Sequence, residues 1–239
     1  MSGTTLDGGR RLRSAAVLPV AAALAALAAL PAPASAQAGA GGSGAGSTDS
    51  IVVVDDLGRR LAFAEPPCRL VSLVPAATEI VFALGAADCL VGRSTWDDHP
   101  PGVEEIPDVG RAIGADVERV VARRPDLVLL VAGSDNARTV DDFARLGVPS
   151  LVLSMNTLPE LRSVIERLGR VLGREAAADS VWGSIAAELA DVGARTAGLE
   201  RPVVYYDVAY PPPITIGRGS YLDSLIVIAG GRNAFHDVA

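Results

Sequence analysis

The sequence predicts an α/β protein: one parallel-sheet lobe, a helical connector and the opening of a second α/β lobe. Three observations carry this. Short apolar runs alternate with helix-period segments between residues 69 and 153. Residues 157–197 then hold helical patterns with no strand between them. After Arg201-Pro202 the alternation resumes and runs to Ala239. Strands alternating with helices at this spacing mean a parallel sheet with helical crossovers.

Each element has a local cause. Ile51–Val54, followed by Asp55-Asp56-Leu57-Gly58, reads as an edge strand or hairpin with a turn. Arg69–Val74 is a short apolar strand. Pro75 then suits the first turn of a helix over Ala76–Leu84, which Gly85 closes. Leu90-Val91-Gly92 is a second strand, and a long polar loop follows to about Ala115. Asp116–Arg123 is a helix with Asp116 as its cap, stopped by Pro125. The continuous apolar run Asp126–Val131 suits a strand buried on both faces. Ala137–Leu146 is a helix ended by Gly147, and Val148–Leu153 is a fourth strand. Thr157–Leu172 and Glu175–Ala197 are helices separated by Gly173. Val203–Asp207 reads as a strand and Tyr221–Ala229 as a helix. These divide the chain into residues 51–156 (first lobe), 157–200 (connector) and 201–239 (an incomplete second lobe).

Composition narrows the function. The chain has 239 residues, 49% of them apolar, which is ample for a packed core. Its net charge is −7, and Arg is its only strong base because it contains no Lys. An acidic body of this kind carries no electrostatic footprint for nucleic acid or for anionic lipid. Residues 1–36 read as an export signal. Arg10, Arg11 and Arg13 form a positive start, Ala15–Leu30 an apolar stretch, and Ala34-Ser35-Ala36 a cleavage site before Gln37. The apolar stretch is short for a membrane span, which needs ~20 residues, and Pro19 interrupts it. Residues 37–50 are mostly Gly, Ala and Ser, a flexible linker. The expected location is therefore the periplasm, with no span after cleavage. Export permits a disulfide between the two cysteines, Cys68 and Cys89. Each precedes a strand, so parallel neighbouring strands would bring them to one end of the sheet; two buried free thiols are the alternative.

In open parallel sheets ligands bind beyond the carboxyl ends of the strands. The candidates there are Pro75 and Ala76 after the first strand, Trp96 and Asp97 after the second, Ser134 after the third, and Tyr210 in the second lobe. Trp96 and Tyr210 on facing loops would form flat apolar walls for a bulky ligand; capping the core edge is their blander role. Asp97, Asp98 and His99 have metal-ligand chemistry, but three adjacent loop residues do not converge readily on one ion, and no metal is expected. No G-x-S-x-G or G-x-x-x-x-G-K occurs, and no spacing nominates a triad, so neither catalytic residues nor a catalytic cofactor are expected. A metal-dependent enzyme using Asp97 and His99, or a sensory binding protein, are the rival readings.

Several of these stretches together resemble the periplasmic binding proteins for vitamin B12, haem and iron–siderophore complexes, the cobalamin-binding branch in particular. The resemblance rests on Arg69–Glu79 (RLVSLVPAATE), Leu84-Gly85, Leu90-Val91-Gly92, Trp96–Pro101 (WDDHPP) and Pro107–Gly110 (PDVG). It continues through Val117-Glu118, Arg124–Val128 (RPDLV), Leu146-Gly147-Val148, Pro212-Pro213 and Gly230–Phe235 (GGRNAF). It implies two parallel-sheet lobes joined by a rigid helical backbone, and capture of a corrinoid, haem or ferric siderophore for an ABC importer. The partners it implies are the permease and, through it, the ATPase. Glu118 matches the acidic residue that docks on permease arginines, Trp96 an aromatic lining the cleft, and Pro75, Ala76 and Ser134 the loops bordering it. Arg111 lies near an arginine position of siderophore binders. A monomer is expected.

Overall fold

The computed structural model describes residues 50–133, 136–209 and 211–238. The export signal, all but the last residue of the linker, Ser134 and Tyr210 lie outside the described residues. Strands β1 (Ile51–Val54) and β2 (Arg60–Phe63) form an antiparallel hairpin across the Asp55–Gly58 turn. A four-stranded parallel sheet follows, built from β3 (Leu70–Ser72), β4 (Leu90–Arg93), β5 (Leu127–Val131) and β6 (Ser150–Leu153). Its order is β4-β3-β5-β6. Helices α1 (Pro75–Ala83), α2 (Val117–Val121) and α3 (Ala137–Arg145) make the crossovers.

The apolar runs in β3, β5 and β6 are buried on both faces, as a sheet covered on two sides requires. One core layer joins Leu70, Leu127, Leu129, Leu151 and Leu153 to α1 and to α4 (Leu158–Val171). The other joins Val71, Val128, Leu130 and Val152 to Val120 of α2 and Phe143 of α3. The outer edge of β6 is covered. Asp56 N–H donates to Val152 O, and the Asp56 carboxylate accepts from Ser154 N–H and Arg167. This ties the hairpin turn to β6 and α4 and leaves no free edge there to template association.

Helix α4 opens with a capping box. Thr157 accepts from Glu160 N–H while Glu160 accepts from Thr157 N–H. It packs on α5 (Glu175–Thr196), where Gly169 meets Ala178 so closely that an added Cβ would lie 2.5 Å from the Ala178 methyl. Helix α5 begins on the first core through Ala178 and Val181. It ends where Thr196 donates to Ile228 O of α6 (Tyr221–Ile228). The connecting helix therefore touches both regions of the chain.

One expected strand divides in two. Within Val203–Asp207, only β7 (Val203–Val204) pairs in parallel with β10 (Arg232–Asn233). β8 (Asp207–Ala209) turns away after Tyr205-Tyr206 and pairs antiparallel with β9 (Ile214–Thr215). The Thr215 hydroxyl holds the break by donating to Tyr206 O. The run has strand propensity throughout, but its two ends find partners in different sheets.

Candidate ligand site at the carboxyl edge of the sheet

All four strands of the main sheet point the same way, so the segments after them gather at one edge. Among the described residues they are Leu73–Pro75, Ser94–His99, Ala132-Gly133 with Asn136, and Ser154–Asn156. Helix α1 begins there with Pro75 at its start and no side-chain cap. Pro75 is half-buried and Ala76 exposed.

A fifth segment joins them. Residues 107–110 run parallel to the end of β4: Arg93 N–H donates to Pro107 O, Val109 N–H to Arg93 O, and Thr95 N–H to Gly110 O. Gly92 permits this approach, since a Cβ there would lie 2.8 Å from the Val109 side chain. The exposed Arg111 therefore leaves the sheet at the same edge as Trp96.

Trp96 is 65% exposed on a fixed backbone. Its N–H donates to Ser94 Oγ at 3.2 Å. The next residue, Asp97, is buried, 4% exposed. One Asp97 carboxylate oxygen accepts from Ser94 N–H, and the other, Oδ1, has no partner among the described residues. Burial pushes the Asp97 carboxyl above the usual carboxylate range, partly offset by hydrogen bonding from the Thr78 and Ser94 side chains and Ser94 N–H and by the charge of Arg93. The half-buried Glu79 of α1 is also pushed up, by burial first; His99 lowers it, and Asp98 and Asp97 raise it. The edge thus combines an exposed indole, an exposed guanidinium and two carboxyls whose pKa burial raises. It suits the binding of a flat or bulky solute with some polar groups.

Glu118 is exposed in the first turn of α2, whose cap Asp116 accepts from Arg119 N–H. Cys68 and Cys89 form a disulfide at the opposite, amino edge, with Cα atoms 4.5 Å apart. A hollow of about 380 Å³ also lies at the amino edge, between β2 and the start of β6, lined by Arg60, Leu61, Phe63, Val148 and Pro149. It contains none of the candidate residues. Residue types and spacing assign no role to Arg93, and Glu79 enters only as the end of the segment after the first strand. Arg93 earns one only through contacts with Ile106, Ser94 and Asp97 carbonyls, and one of these lies thirteen residues away, which no local spacing signals.

The periplasmic binding protein family model matches residues 70–238 of this chain. The chain belongs to this family. A vitamin B12-binding protein of Salmonella typhimurium is 30% identical over 169 residues, covering 71% of this chain and 63% of the relative. An uncharacterized ABC transporter substrate-binding lipoprotein of Bacillus subtilis is 30% identical, covering 78% and 62%. Among solved structures, the periplasmic vitamin B12-binding protein of Vibrio cholerae superposes with a TM-score of 0.63 at 27% identity, covering 72% of this chain and 68% of that one. A periplasmic heme-binding protein of Pseudomonas aeruginosa gives 0.64 at 28%, covering 71% and 64%. The match thus spans somewhat less than two thirds of the curated relatives. The family and the parallel α/β architecture expected from the sequence both hold.

Proposed function

We propose that this chain is the substrate-binding component of an ABC importer, taking a corrinoid or an iron complex (haem or ferric siderophore) in the periplasm and delivering it to the permease. The observation that carries this is the exposed Trp96 on a hydrogen-bonded loop at the carboxyl edge of a family-matched sheet. The names of relatives that bind vitamin B12 or heme support the corrinoid and haem readings. Residues 51–156 form the capturing lobe, 157–200 the connector, and 201–239 part of the second lobe. Pro75, Ala76, Trp96, Arg111, Ser134 and Tyr210 border the ligand, with Asp97 acting there as well. An apolar aromatic wall supplies affinity and a few polar groups supply orientation. The connecting helices are stiff, so the expected motion is a small opening rather than a wide closure. Export depends on residues 1–36. The role is binding rather than catalysis.

Glu118 docks on the permease. An exposed carboxylate is individually weak, but such contacts orient a complex. Glu118→Arg is expected to keep ligand affinity and reduce delivery; undiminished transport would refute the docking role. The binding role is tested by a thermal-shift screen of the purified chain with cyanocobalamin, haemin and several ferric siderophores. A ligand that binds only the native state raises the melting temperature with concentration. A rise with one of them supports the reading. A cooperative transition that none of them moves argues against it.

A further inference from the structure

We propose that Asp97 is a positioning residue: its buried carboxyl accepts the Ser94 N–H and so holds Trp96 in place for the ligand, without touching the ligand itself. This rests on the binding role argued above.

The four backbone N–H groups from Ser94 to Asp97 are all engaged. Ser94 donates to the Asp97 carboxylate, Thr95 to Gly110 O, Trp96 to Ser94 Oγ, and Asp97 to Ser94 O. Arg93 closes the turn from the other side, donating to Ser94 O at 3.0 Å, Asp97 O at 3.2 Å and Ile106 O at 3.1 Å. Thr95 Oγ1 donates to Asp108, whose other contact is with Gly110 N–H. An indole that is 65% exposed thus stands on a backbone with no free donor. Fixing in advance the backbone that carries a large side chain spares part of the ordering cost when a ligand arrives.

Stability alone does not account for Asp97. A carboxylate 4% exposed, with Oδ1 unpartnered among the described residues, loses hydration that Ser94 N–H and the nearby Thr78 and Ser94 hydroxyls replace only in part. Asn would fill the same space, keep an acceptor for Ser94 N–H and carry no charge. The geometry therefore uses the side chain as an acceptor. A residue that paired with a cationic group on a ligand would instead need the charge.

The experiment uses the chain with Trp182→Phe, which leaves Trp96 as its only tryptophan. Asp97→Ala and Asp97→Asn are made with and without Trp96→Ala. Without any ligand, Trp96 fluorescence anisotropy is expected to fall in Asp97→Ala and to recover in Asp97→Asn. With cyanocobalamin or haemin, Asp97→Ala is expected to weaken binding about tenfold, the scale of one lost ordering hydrogen bond, and Asp97→Asn less than about threefold. In the Trp96→Ala background, Asp97→Ala is expected to add nothing. Three results would overturn the proposal: unchanged anisotropy in Asp97→Ala, equal damage from Asn and Ala, or a full Asp97→Ala effect without Trp96. If Asp97→Ala does not fold, Ser94→Ala, which removes the acceptor of Trp96 N–H, takes its place in the cycle. A parent chain that binds neither probe refutes the binding role, while the ligand-free anisotropy still decides whether Asp97 holds Trp96.

Discussion

Residues 50–198 and residues 199–238 are built from the same kinds of element and bury them very differently. The first region has a four-stranded sheet with a core layer on each face. The second has two ribbons of two strands each. Among the described residues, nine large apolar side chains stay exposed from Leu199 onward, against five before it. Among the described residues beyond Val181, the buried apolar set contains only Ile216. What is buried there is largely polar: Asn233 donates to Asp223 at 3.0 Å and to Ile216 O at 3.1 Å, and Asp223 accepts from Gly219 N–H. Sheet width explains the contrast. A two-stranded ribbon is too narrow to support a core of its own, so its strands and its helix keep apolar faces open. The first region is expected to set the global stability, and the second to open at lower free energy.

The largest test compares two phenylalanines. Phe143 is fully buried between α3 and the sheet, and Phe235 is 37% exposed beside Tyr205. Phe143→Ala is expected to cost about 3–5 kcal/mol in urea unfolding. Phe235→Ala is expected to cost less than about 1 kcal/mol. Equal losses would mean that the two regions unfold as one unit with comparable packing.

The disulfide sharpens the same contrast. It closes a loop between the starts of β3 and β4, with a sequence separation of 21. Replacing both Cys68 and Cys89 by Ser is expected to lower unfolding free energy by about 3 kcal/mol through the unfolded-state entropy. Hydrogen exchange in α6 should not change, because the bridge lies wholly in the first region. Faster exchange in α6 would show that the regions are coupled.

Two helix caps offer a smaller comparison. Thr157 caps α4 and Ser220 caps α6, each accepting from the N–H three residues on. Thr157→Ala is expected to lower global stability by about 1 kcal/mol. Ser220→Ala should leave the urea midpoint nearly unchanged and speed amide exchange within Tyr221–Ile228. A matching midpoint shift in both would remove the distinction.

The smallest expected effect is a pH dependence at the carboxyl edge. Burial raises the Glu79 carboxyl above its ordinary range. Folding therefore favours its protonated form. The stability contributed is present below about pH 4 and is lost as pH rises through the raised value. Glu79→Gln should raise the melting temperature at pH 7, with the gain fading toward pH 4. A gain that persists at pH 4 would assign the effect to packing rather than to charge.

Much of the first region was legible from local chemistry. Asp116 as a cap, Pro75 at a helix start and the both-faces-apolar run Leu127–Val131 follow from short-range rules, and the structure has each of them. The common end reached by Cys68 and Cys89 follows once β3 and β4 are parallel neighbours. The strand order is set by tertiary pairing and was not legible. The division of Val203–Asp207 was hidden for the same reason, since β7 finds its partner at Arg232–Asn233. At the candidate site the exposed residue types were readable, because Trp96 follows a strand. The knot beneath it was not, because Arg93, Ile106 and Gly110 meet only in three dimensions.

The central claim is that solute binds against Trp96. In the Trp182→Phe chain, Trp96 emission is followed while cyanocobalamin, haemin or a ferric siderophore is titrated, with equilibrium dialysis run in parallel to measure binding independently. The account predicts saturable quenching by at least one of them, with the same midpoint as dialysis. Saturable binding by dialysis with Trp96 emission unmoved would place the ligand elsewhere on the molecule and contradict it.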